Sequence, residues 1–173
     1  MLRKAFITFA DKTGNVIART YPQQYKKPFD GVNQNSYEVI EYSDDFDVKS
    51  EATNQLHIAP ANHNGLSLKI AVDNSAIILL NDMVDPANRQ IGGMTVSFYS
   101  AGSASASDPT KPANLDFTAN YKQPQLKSFS MVYSSVVDEQ QPERNLVDLT
   151  VLAPTVQYKW TNGNREATYG VSA

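Results

Sequence analysis

Between Asp73 and Gly102 the spacing of the hydrophobic positions changes from a helical period to a strand period. Asp73, Asn74 and Ser75 offer side-chain oxygens suited to cap a helix N-terminus. Behind them Ala76, Ile77, Leu79, Leu80, Met83 and Val84 fall on one face at about 100° per residue. Ser75, Asn81, Asp82, Asp85 and Arg89 fall on the other, with Ile78 as an apolar residue among them. Pro86 and the pair Gly92-Gly93 are expected to stop this helix and turn the chain. Met94, Val96 and Phe98 then alternate with Thr95, Ser97 and Tyr99, the period of a half-buried strand.

The remaining periodic segments read as strands. In Lys4–Ala10, Ala5, Ile7 and Phe9 face one way and Phe6 and Thr8 the other; Asp11–Asn15 is turn chemistry, and Val16–Tyr21 is expected back as a hairpin partner. Pro22–Ser36 reads as loop and Tyr37–Tyr42 as a strand. A polar tract follows from Ser43 to Asn64, in which Leu56-His57-Ile58 is a short extended piece. Leu66, Leu68, Ile70 and Val72 then alternate with Ser67, Lys69 and Ala71. Ala101–Ala113 is a small, polar surface loop. Leu115–Tyr121, Lys127–Val137 and Asn145–Thr161 complete the strands, with Pro154 breaking the last and Asn164–Ala173 left as a tail. The pattern gives one mainly β domain over residues 1–173: two antiparallel sheets, barrel-like, with one helix packed on the outside.

On strand after strand the positions opposite the apolar ones carry small polar residues: Ser67 and Lys69, Thr95 and Ser97, Asp116, Thr118 and Asn120, Ser128, Ser130 and Ser134, Gln157 and Lys159. An ordinary solvent face of an antiparallel sheet has this pattern. So does a broad hydrophilic wall that stays wet on purpose.

Composition narrows the function classes. The 173 residues are 41% hydrophobic and 19% charged, which suits a folded chain of one domain. A net charge of -3 and the lack of a basic run give no footprint for nucleic acid. No stretch is long and apolar enough to insert in a membrane as a helix, and the N-terminus lacks the apolar core of a signal peptide. With no cysteine, disulfide scaffolds and thiolate metal sites are excluded.

Candidate chemistry is sparse. His57 and His63 match no metal-binding spacing, and Asp44-Asp45-Asp47 and Asp82-Asp85 match no calcium loop, so surface histidines, a solvated turn and a solvated helix face are the expected roles. Ser100–Ser103 lacks the lysine of a phosphate loop, and Ser105 and Ser107 have no visible base. Neither a catalytic residue nor a cofactor or metal is expected. The tyrosines sit at strand spacing, as sheet packing does, though a sugar-stacking platform would use them too.

Three segments carry a resemblance to a known family: YEVIEYSDDFDVKSE (37–51), LSLKIAVDNSAIILLNDMVDPANRQIGGMTVSFYSAG (66–102) and FSMVYSSVVDEQQPERNLVDLTVLAPTVQYKWT (129–161). In order and spacing they resemble the Hcp family, the tail-tube proteins of bacterial type VI secretion systems, related in fold to phage tail-tube proteins. The resemblance implies a structural protein, not an enzyme, whose subunits close into a hexameric ring. Rings stack into a tube that a contractile sheath propels, engaging a spike protein and carrying or chaperoning effector proteins. It implies assembly in the cytoplasm and secretion without a cleaved signal peptide, with no nucleic acid and no membrane insertion. On this reading Ser67, Lys69, Thr95, Ser97, Ser128 and Ser130 line the channel. Ser43–Gln55 forms an arm to a neighbour, with Asp44, Asp45, Phe46 and Val48 at ring or stacking contacts, and Ile78 anchors a contact from the helix. A monomeric β-sandwich binding module, a small hydrolase, and the tail tube of a phage or other contractile injection system are the alternatives.

Overall fold

The computed structural model describes residues 2–48, 61–72, 91–101, 111–132, 145–161 and 165–170. Nine strands are found there: β1 Leu2–Asp11, β2 Tyr37–Val48, β3 Ala61–Val72, β4 Ile91–Ala101, β5 Asn114–Lys122, β6 Gln125–Val132, β7 Asn145–Leu152, β8 Thr155–Trp160 and β9 Arg165–Gly170. They hydrogen-bond as one antiparallel sheet in the order β6-β7-β3-β2-β1-β4-β5-β8-β9.

In shape, this sheet is two leaves. β6-β7-β3-β2 and β1-β4-β5-β8-β9 meet along a short seam, where β1 pairs with β2 only at Ala5↔Val39, Phe6↔Glu38 and Ile7↔Tyr37. The inner faces of both leaves share one core, in which Ile7, Leu66, Val96, Ala119, Val147 and Val151 have no accessible surface. The two antiparallel sheets expected from the sequence are thus halves of a single sheet folded on itself. Two-residue corners carry the chain between leaves, Gln123-Pro124 from β5 to β6 and Ala153-Pro154 from β7 to β8. Proline suits a corner because it removes a ladder donor.

Several local expectations change. Residues 73–90, where a helix carrying Ile78 is expected, lie outside the described residues, as do 49–60 with His57 and 102–110. Gly92 and Gly93 do not turn the chain but belong to β4. Where the β1–β4 register slips beside Ala10, a Cβ on Gly92 would lie 2.7 Å from the Asp11 carbonyl oxygen and 2.8 Å from Lys12 Cα, so only glycine fits. The hairpin of β1 with Val16–Tyr21 stops after the single bridge Ala10↔Val16. There the Asp11 carboxylate ties off the turn, accepting from the Thr13 and Asn15 N–H groups, while β4 and β2 take the two sides of β1. The expected tail contains β9, antiparallel to β8 from Trp160↔Arg165 to Thr155↔Gly170. Its Ala167 and Tyr169 lie across from Tyr158 and Val156 on the inner face, which draws this polar segment into the sheet.

The loop between residues 17 and 36 crosses the outside of β1 and β4. Phe29 and Val32 cover Phe6 and Ala101, and the Tyr25 ring meets Phe6 edge-on at 4.6 Å. Arg19, 8% exposed, fastens this roof: its guanidinium lies 4.3 Å from the Tyr37 ring centroid and donates to the Ser36 carbonyl at 2.8 Å. Arg19→Ala is expected to cost about 1–3 kcal/mol, the usual range for a charged hydrogen bond together with a stranded acceptor. Denaturant unfolding measures this, and an unchanged midpoint would show that the roof holds without Arg19.

Candidate functional site

Two β-bulges decide which residues meet inside. Ile40 is an extra residue on β2 between Val39↔Ile70 and Glu41↔Lys69, so the inward positions shift from Tyr37 and Val39 to Tyr42, Asp44 and Phe46. On β3, Asn64 is extra between Asp45↔Gly65 and Phe46↔His63; Gly65 there has φ +148°, a conformation that favours glycine. The second slip turns His63 inward, against Asp44. Their side chains are 3% and 5% exposed, with His63 Nε2 at 2.6 Å from Asp44 Oδ1.

The other leaf completes the cluster. Tyr121 of β5 donates to Asp44 Oδ2 at 2.6 Å, Tyr158 of β8 donates to the same oxygen, and Tyr42 approaches it at 3.3 Å while hydrogen-bonding Tyr121. On the far side of the imidazole the Ala153 N–H donates to Nδ1 at 3.1 Å. Nδ1 therefore presents its lone pair, and Nε2 carries the proton that it gives to Asp44. Burial pushes the Asp44 carboxyl upward, but the hydrogen bonds from His63, Tyr121 and Tyr158 outweigh it and hold the group below the ordinary carboxylate range. Burial pushes the Tyr42 phenol up to about 12, and burial beside the Asp44 charge pushes Tyr121 and Tyr158 far higher. The result is one carboxylate clasped by neutral donors from both leaves. Since both imidazole nitrogens are occupied, His63 has none left with which to activate a nucleophile. Among the described residues no group of three His, Asp or Glu side chains could hold a metal.

The outward faces carry the polar rows read from the sequence. Across the first leaf, Ser128, Thr150, Ser67 and Ser43 lie in register, and beside them Ser130, Asp148, Lys69 and Glu41. Lys69 Nζ sits 3.6 Å from Glu41 and 3.9 Å from Asp148. On the second leaf Thr8, Thr95, Asn120, Gln157 and Thr168 form one row, and Phe6, Ser97, Thr118, Lys159 and Glu166 the next. The structure therefore splits the channel-lining candidates: Ser67, Lys69, Ser128 and Ser130 share one outer face, while Thr95 and Ser97 are on the opposite one, part-roofed at Phe6.

The interface candidates divide as well. Asp44 points into the core rather than toward a neighbour, because of the Ile40 bulge. Phe46 is half-buried beside His63, Tyr158 and Tyr169. Asp45 is exposed, Val48 ends β2, and Ile78 lies outside the described residues. Open strand edges fit the sequence reading, but their places do not follow from it; among the described residues two are on the first leaf. β6 is an outermost strand, and its Phe129 and Met131, opposite the buried Leu149 and Val147, remain 45% and 53% exposed. On the other side β2 leaves β1 beyond Val39, opening a 760 Å³ cleft lined by Ile40, Tyr42, Phe98 and Phe117, with Arg3 and Asp116 among its charged residues.

No protein-family model matches the chain, and no curated protein matches it in sequence. Solved structures do match it. An Hcp protein superposes with a TM-score of 0.71 at 12% identity, covering 99% of each chain. This chain has the Hcp fold. The secreted protein Hcp3 from Pseudomonas aeruginosa matches at a TM-score of 0.66 and 9% identity, over 99% of this chain and 100% of its own. A type VI secretion system effector from Yersinia pestis matches at 0.57 and 12%, over 96% and 99%. The Hcp fold here is the two-leaf sheet just described, with its mainly β, antiparallel character as expected.

Proposed function

We propose that this chain is a structural subunit of a type VI secretion tube. Copies close into a hexameric ring, rings stack, and the tube carries effectors behind a spike inside a contractile sheath. The subunit is made in the cytoplasm and leaves the cell with the tube. Full-length likeness to Hcp proteins supports this reading, and one observation carries it: among the described residues nothing covers the polar face of the first leaf, and no strand pairs with the outer side of β6 or with β2 beyond Val39 on its β1 side. An isolated strand edge with exposed apolar side chains invites pairing, and a head-to-tail contact between different edges generates rings. Joining β6 of one copy to the β2 side of the cleft in the next would bury Phe129 and Met131 and run the polar faces together as a continuous wall. A hydroxyl row beside one in which Lys69 sits between the Glu41 and Asp148 carboxylates gives a wet surface with little apolar area for a passing protein to adhere to.

Native mass spectrometry of the purified chain tests the reading. A discrete closed multiple of the subunit mass is expected, and a monomer at tens of micromolar would favour a β-sandwich binding module instead. For that alternative the relevant feature is the aromatic row Phe98, Phe117 and Trp160, whose last ring is 41% exposed.

A further inference from the structure

We propose that the Asp44–His63 cluster is an acid-sensitive latch holding the two leaves together on the side away from the β1–β2 seam. The seam is short, so the leaves depend on what crosses between their inner faces. Among the described residues this cluster makes such a crossing: Tyr42 and Asp44 from β2 and His63 from β3 meet Tyr121 from β5, Tyr158 from β8 and the Ala153 N–H at the β7–β8 corner. The Phe46 ring meets His63 at 5.0 Å and Tyr169 of β9 at 5.1 Å between ring centroids, tilted against both, so the cluster also underlies the place where β9 approaches β3.

The direction of the switch follows from the proton inventory. Nε2 already gives its proton to Asp44, so a second proton on His63 can go only to Nδ1. That nitrogen faces the Ala153 N–H, and protonation would set donor against donor. The imidazole must then turn away and release the corner that leads from β7 into β8. Tyr42, Tyr121 and Tyr158 already hold their protons as neutral phenols, and Asp44, held below the ordinary carboxylate range by its hydrogen bonds, stays ionised in mild acid. Acid therefore acts at one corner rather than on the whole sheet.

Amide hydrogen exchange of the full chain tests this, compared between about pH 7 and about pH 5, the interval over which histidines ordinarily gain a proton. After correction for intrinsic exchange, protection at Ala153 and across β8 is expected to fall at least about tenfold more than across the β1–β4 ladder. His63→Gln can accept from Ala153 and donate to Asp44 but cannot become charged, so it should flatten this difference. His57→Gln, the other histidine, should leave it intact. A uniform loss of protection, or an undiminished acid response in His63→Gln, overturns the latch. Should His63→Gln fail to fold, the imidazole nitrogen shifts of the wild type still decide. Nδ1 must gain its proton as the Ala153 amide loses protection, and a neutral ring throughout that loss refutes the proposal.

Discussion

Replacing Asp44 by alanine is expected to lower the unfolding free energy at neutral pH by about 3–5 kcal/mol, the loss typical of removing one partner from a buried charged cluster. Three donors, His63 Nε2 and the Tyr121 and Tyr158 hydroxyls, would be left inside the core facing a void. Asp44→Asn preserves the shape but offers an NH₂ group to residues that are themselves donating, so it should recover only part of the loss. The pH dependence has a definite sign. The folded carboxyl titrates below its unfolded value, so its contribution is complete above the unfolded range, near about pH 4, and disappears as pH falls through the folded value. Urea unfolding of wild type and Asp44→Ala should therefore differ most at neutral pH and converge in strong acid. A difference below about 1 kcal/mol at pH 7 would mean that water or the tyrosines replace the carboxylate, and that the cluster does not hold the leaves.

This cluster was hidden in the sequence for a specific reason. The alternation in β1, β4 and the second half of β3 correctly separated Ile7 and Phe9 from Phe6, Met94 and Val96 from Thr95, and Leu66 and Leu68 from Ser67. Such strands have period two without interruption, and the break at Pro154 announces itself. In β2 the Ile40 bulge inverts the alternation, and in β3 the Asn64 bulge does the same. A one-residue slip moves every later side chain to the other face. Asp44 and His63 therefore read as surface residues, and Ser43–Phe46 as the start of an arm to a neighbour. Gly65 was the available signal, since a glycine flanking a strand of large apolar residues often marks a bulge. β9 escaped because Arg165, Glu166 and Thr168 leave only Ala167 and Tyr169 to show its inner side. The polar rows were legible residue by residue, but their division between opposite faces depends on how the sheet folds, which a strand's own pattern does not encode.

Met131→Lys and Ile40→Lys are each expected to convert the assembled protein to monomers, and an equal mixture of the two is expected to give dimers and nothing larger. Met131 sits on the open edge of β6 and Ile40 at the cleft beside β2, both more than 40% exposed, so a charge at either should cost the isolated fold under about 0.5 kcal/mol. In a head-to-tail junction each would instead bring an unpaired charge into a buried contact, where central apolar anchors carry most of the binding energy. The mixture is the more demanding arm. An Ile40→Lys copy keeps a sound β6, and a Met131→Lys copy keeps a sound cleft, so one junction can form between them. The ends left over are both defective, and growth stops at two. A contact that used the same patch on both subunits could not behave this way, because each variant would then be complemented in neither or in all of its contacts. Sedimentation velocity distinguishes the cases. Wild-type mass in either variant, or a mixture that stays monomeric, would show that the ring closes through other surfaces.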